Sequence, residues 1–229
     1  MRPSQGLTKV KRGGAAMALP LLLCLGLGAA GLRANVTSLA PAPLPTEDGH
    51  VDAGARLLDV NPSVFNGLSD RLGMPDTGGT LLLWGGGATI VPGKLRAQAS
   101  GWSGGLSASQ GTRQTTWDLD LAAFSLEERY PFTSYEITAG TSLEYGRLMG
   151  GMDDYSAGNL NRVEANLWGT SVSAGFRWPT QTAVGFFVRT QWLWLQGDGT
   201  WHGSSASSLG STHFDLGGPS VTAQIEMSL

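Results

Sequence analysis

Apolar and polar residues alternate without a break from 135 to 145. Tyr135, Ile137, Ala139, Thr141, Leu143 and Tyr145 fall on one side, and Glu136, Thr138, Gly140, Ser142 and Glu144 on the other. A period of two predicts a β-strand with one apolar and one polar face. Ten steps of ~3.3 Å, tilted by ~40°, climb about 25 Å and leave a ring at each end of the climb. Similar patterns predict strands over 80–90, 95–104, 117–126, 162–178, 183–195 and 221–229. In 183–195, Val184, Phe186, Val188, Thr190, Trp192 and Trp194 share a face. In 162–178 the apolar phase changes near Trp168-Gly169-Thr170, which predicts a β-bulge.

One helix is expected over 61–73. Asn61 is its candidate N-cap, Pro62 fits the first helical position and Gly73 can end it. Val64, Phe65, Leu68 and Leu72 recur at helical spacing. This predicts a short helix packed on a sheet, with a plug or gate as the alternative. The connections near 91–94, 127–134 and 178–182 read as short, with Pro179 in the last of them. Those near 105–114, 147–161 and 196–218 read as long loops. Seven strands are plain. An even-numbered barrel needs an eighth, and 51–60 is the candidate, with Val51, Ala53, Ala55 and Leu57 on one side but Leu58 and Val60 on the other.

Composition adds a destination. Lys9, Lys11 and Arg12 precede an apolar run over 15–30 that is short for a membrane-spanning helix, and small residues follow it. That is the layout of a secretory signal peptide, assigned to 1–34. A proline-stiffened linker follows at 35–50, then a single β-domain at 51–229. The lone cysteine, Cys24, lies in the leader, so the mature chain has neither disulfides nor cysteine-based metal sites. Five of the fifteen Lys and Arg and none of the eighteen Asp and Glu precede residue 35. Ten cations against eighteen acids leave the rest at −8, which argues against a nucleic-acid partner. Low charge, 34 glycines and eight tryptophans suit β-structure with tight turns.

Candidate chemistry is sparse. Asp118, Asp120, Glu136, Glu144, Arg162, Glu164, Arg177 and Arg189 lie opposite the apolar faces. In a narrow barrel they would form an internal, mutually paired charge network. Tyr135, Tyr145, Trp178, Trp192 and Trp194 suit interfacial aromatic belts, while Trp102 and Trp201 could instead stack on sugars. His50, His202 and His213 are scattered, and the last two lack a third metal ligand at diagnostic spacing. Gly85-Gly86-Gly87 lacks the Gly-Lys-Ser/Thr of a phosphate loop. Ser107 and Ser109 lack a nucleophile-elbow setting. No catalytic residue, cofactor or metal is assigned.

The last strand, with Val221, Ala223, Ile225, Met227 and Leu229 alternating against polar residues, ends the chain on an apolar residue. Leader, strand pattern and terminus together resemble bacterial outer-membrane β-barrel proteins, in which the final residue is usually Phe. The resemblance implies an all-β, antiparallel up-and-down barrel of about eight strands with one short N-terminal helix. It also implies location in the outer membrane, lipid as partner, and a structural or narrow-pore role. The alternative is a soluble periplasmic or secreted β-protein that binds a partner or glycan, its apolar faces packed on a second sheet or on the helix.

Overall fold

A computed structural model describes residues 48–61, 63–178, 182–203 and 210–229. The expected leader with Cys24, most of the linker, Pro62 and Pro179 lie outside the described residues. Within them run β1 (Asp48–Asp59), α1 (Ser63–Leu72), β2 (Thr80–Val91), β3 (Leu95–Gln110) and β4 (Arg113–Pro131). Then follow β5 (Glu136–Asp154), β6 (Asn159–Trp178), β7 (Val184–Gly203), β8 (Ser211–Asp215) and β9 (Gly218–Ser228). Both β8 and β9 pair with β7, so together they form one interrupted stave. β1 pairs with β2 on one side and β9 on the other, and β6 with β7. The sheet therefore closes into an eight-stave antiparallel barrel. The row of partners Gly49–Ile90–Ala97–Leu126–Thr141–Val172–Trp192–Pro219 runs once around it. It returns level with Asp59, one step past the pair Leu58↔Ser220 and ten positions above Gly49, a shear of ten. Strands in such a barrel tilt by ~40°.

The segment 51–60 is thus the closing stave, and it starts inside the expected linker, at Asp48. Asp48, Leu229 and the short connections after β2 and β4 share one end of the barrel, the terminal end. The far end carries α1 and the hairpin turns after β3 and β5.

Around the barrel, the apolar face changes sides at one height. In β4, Phe124, Leu126 and Tyr130 point outward while Ser125, Glu127 and Arg129 are buried inside. Farther along the same strand Trp117, Leu119 and Leu121 are the buried ones, and Asp118 and Asp120 face out. β1 makes the change between Leu57, outward, and Leu58, inward. β6 makes it between Leu167, inside, and Val172, outside. The expected bulge at 168–170 is therefore absent. Pairing of β6 with β7 keeps one register from Asn161↔Gly203 to Trp178↔Phe186, and burial alternates in phase through 161–177. The pleat is continuous; its apolar side changes.

The expected long loops are also corrected. Strands β3 and β4 pair up to Gln110↔Arg113, and β5 and β6 up to Asp154↔Asn159. Ser107, Ser109, Gln114 and Arg147 lie on the outer faces of strands whose inner faces carry Leu106, Trp117, Leu148, Met152 and Val163. Beyond the height of the change, the barrel wall resembles that of a water-soluble β-protein, polar outside and apolar within.

That apolar interior is closed by α1. Asn61 Oδ1 accepts the Ser63 N–H at 3.1 Å, an N-cap. Gly73, at φ 65°, ends the helix, and the Met74 N–H returns to the Ser69 carbonyl at 2.8 Å. Phe65 and Leu68 insert among Trp117, Leu148, Met152, Trp201 and Phe214. The rings of Phe65 and Trp117 lie 4.7 Å apart. The helix is a plug in the mouth of the barrel rather than a layer on the outside of a sheet. Gly150 makes room for this packing, since a Cβ there would collide with the Trp117 ring.

Candidate functional site

Below the plug, at the height where the outer surface is apolar, the interior is charged. Five arginines (Arg56, Arg96, Arg129, Arg177, Arg189) and five acids (Asp52, Glu127, Glu136, Glu144, Glu226) are buried there. The strand period sets this arrangement, because each alternates with an outward apolar or small neighbour.

The pairs are specific. Arg56 faces Glu144 through two N–H groups at 3.2 and 3.3 Å, and its Nε donates to Ser220 at 3.0 Å. Glu144 also accepts from Ser142 at 2.9 Å and Gln191 at 3.2 Å. Glu226 lies between Arg177, whose Nε donates at 2.8 Å, and Arg96. Glu127 lies between Arg189 at 2.8 Å and Arg96 at 3.4 Å. Arg129 donates to Glu136 at 2.8 Å and to the Gly93 carbonyl at 3.1 Å. Asp52 is held by the side-chain amides of Gln98, at 2.7 Å, and Gln224. The Phe187 ring is flanked by the guanidinium carbons of Arg96 and Arg189, 4.4 and 5.0 Å from its centre. Gly175 leaves space for that ring, as a Cβ would meet it at 2.5 Å.

Equal numbers of opposite charges, each with a polar partner, make a neutral filling. Charges removed from water need this pairing, because an unmatched one costs several kcal/mol. A void of about 10 Å³, bordered by Arg56, Glu144, Arg189, Gln191 and small hydroxyl residues, has room for about one water. Above it stand Trp102 and the apolar interior. The arrangement is suited to holding the wall rigid.

Of the residues expected in the internal network, Glu136, Glu144, Arg177 and Arg189 lie inside. Asp118, Asp120, Arg162 and Glu164 do not, and this is a correction. They lie beyond the height where the apolar face changes sides, so their inward neighbours are Trp117, Leu119, Val163 and Ala165. Outside, Arg162 pairs with Asp153 and Arg147 with Glu164, the latter at 2.8 Å. Sequence reasoning missed Arg56, Arg96, Arg129, Asp52, Glu127 and Glu226. The available signal was alternation: Glu226 opposes Ile225 and Met227, and Glu127 and Arg129 oppose Leu126 and Tyr130.

The aromatic residues sit at two heights on the outer face. Tyr135 stacks on Phe132 and Phe176, at 4.6 and 5.6 Å, near the terminal end, where Trp178 also points outward. Tyr145 packs on Trp168 at 4.5 Å near the change in polarity, with Trp192 and Trp194 on the neighbouring stave. Trp102 and Trp201 are buried interior residues, which corrects the sugar-stacking option for both. His213 lies 2.9 Å from Asp198, and the described residues contain no cluster of three metal-ligating side chains. Beyond the apolar belt the outer surface is acidic. Asp59, Asp70, Asp76, Asp118, Asp120, Glu164, Asp198 and Asp215 stand there against Arg71, Arg113, Arg147 and Arg162, while Asp153 and Asp154 are buried in ion pairs with Arg162 and Arg113.

No protein-family model matches the chain, and no curated protein matches it in sequence. Its structure is similar to the crystal structure of a major outer membrane protein from Thermus thermophilus. The TM-score is 0.53 at 9% identity, over 81% of this chain and 100% of that one. At that identity the likeness is one of fold: the chain forms a closed antiparallel barrel like that of an outer membrane protein.

Proposed function

We propose that the protein is an outer-membrane β-barrel with a structural rather than a conducting role, lipid its immediate partner and no catalysis its own. The observation that carries this reading is the change of the apolar face at a single height around the wall. Toward the terminal end, large apolar side chains stay exposed: Leu143 66%, Trp168 66%, Trp84 63% and Ile90 63%. A soluble protein rarely leaves so large an apolar band in water. The band suits a hydrocarbon layer of about 25 Å between two aromatic girdles, and the polar far half suits water. The paired charges inside and the plug above them support a closed barrel over a pore.

Two measurements test this. The folded protein should stay with membranes through carbonate extraction and migrate differently on gels before and after heating. Reconstituted in planar bilayers, it should give no steady conductance steps. Release into the carbonate supernatant ends the membrane reading; regular conductance ends the closed one.

A further inference from the structure

The far half of the barrel is not closed by strand pairing. β2 begins at Thr80, and its last pair with β3 is Leu82↔Gly105. β3 continues to Gln110, paired with β4 alone. Beyond Gly105, every second residue of β3 therefore turns its N–H and C=O away from β4. Among the described residues, no backbone group accepts or donates to the 106–110 edge from that side. Natural edge strands are usually blunted by lysine, proline or a bulge. This one reads Leu-Ser-Ala-Ser-Gln, without charge or proline, and Ser107 and Ser109 are exposed.

The surroundings select the occupant. Asp120 reaches over β3 from β4 to accept a hydrogen bond from Ser103 at 2.6 Å. Asp118 covers Gly105, where a Cβ would meet its Oδ1 at 2.5 Å. The outer surface of this half carries eight acids against four arginines, two of which are already paired with the buried Asp153 and Asp154, so a second copy would be repelled and a cationic segment attracted.

We propose that the free edge of β3 at 106–110 is a docking site for an extended, basic segment of a partner polypeptide, which adds to the sheet as a strand. Main-chain pairing would supply the register, and Asp118 and Asp120 the preference for lysine or arginine. The proposal goes beyond the membrane reading and holds whether or not the apolar belt meets lipid.

The test uses the full chain in a non-ionic detergent and a fluorescent ten-residue peptide of alternating lysine and valine. Saturable binding is expected. It should weaken at least tenfold when every peptide amide is N-methylated, a change that leaves the protein untouched. Asp118→Asn with Asp120→Asn should weaken it severalfold, and Ser107→Pro, with its β-sheet circular dichroism intact, should abolish it. Absent binding, or equal binding of the N-methylated peptide, overturns the proposal. So does efficient Ser109→Cys cross-linking between copies, which would make the occupant a second barrel.

Discussion

Glu226 has no exposed surface and joins two arginines, Arg96 and Arg177, from opposite sides of the barrel interior. Glu226→Gln removes the negative charge and leaves both cations buried with reduced compensation. The expected loss is about 3–5 kcal/mol, read from urea unfolding by tryptophan fluorescence. A loss below ~1 kcal/mol would mean that water reaches these groups. Asp154 works differently, at the hairpin tip farthest from the terminal end. Hydrogen bonds from Ser156, then Arg113, and from the Ala157 and Ser156 amides hold its carboxyl down to about 2 from the usual 3.8. Its folded value lies below its unfolded one, so the charged form stabilises the turn above pH ~4. That contribution fades as pH falls through about 2. The Ser156 and Ala157 amide resonances should titrate with that midpoint, and the titration should vanish in Asp154→Asn. A midpoint near 4 would show that the cap is not formed in solution.

At the scale of elements, α1 illustrates how a short helix gains a place. Ten residues are too few for an isolated helix to persist in water. Capping by Asn61 and Gly73 defines its ends, and burial of Phe65 and Leu68 holds it. Phe65→Ala should cost about 3–5 kcal/mol of docking. Hydrogen exchange in 63–72 should quicken while 136–145 stays protected; unchanged exchange in the helix would mean that Phe65 is not its anchor. Asn61, the apolar spacing and Gly73 made the helix legible in sequence. Its destination was not, because the same apolar stripe could have covered the outside of a sheet. The strand lengths misled for a related reason. Much of 105–114 and 147–161 reads as loop when an apolar outer face is expected, yet Ser107, Ser109 and Arg147 lie on the wet faces of paired strands.

At the scale of the whole molecule, charge is divided by location. The interior balances five arginines with five acids, and the acidic excess lies mostly on the outer surface beyond the apolar belt. In the proposed membrane setting, Ala139→Arg, outward within the belt, should cost about 2–4 kcal/mol in lipid vesicles. Thr200→Arg, outward beyond the belt, should stay within about 0.5 kcal/mol of the parent. Equal effects of the two would remove the distinction between a lipid-facing and a water-facing half.

Alternation by itself determined the strands, their two faces and the eightfold count once 51–60 was included, because a period of two is a local property of the chain. The tertiary structure decided which face is inside. Neighbouring staves must agree at each height, and that agreement depends on register and shear rather than on any one strand. It turned an apparent bulge at Trp168 and a doubtful stave at Leu57-Leu58 into two views of one event. Glu136 and Glu144 consequently share the interior with Arg129 and Arg56, while Asp118 and Asp120, in a strand of the same alternating kind, face outward.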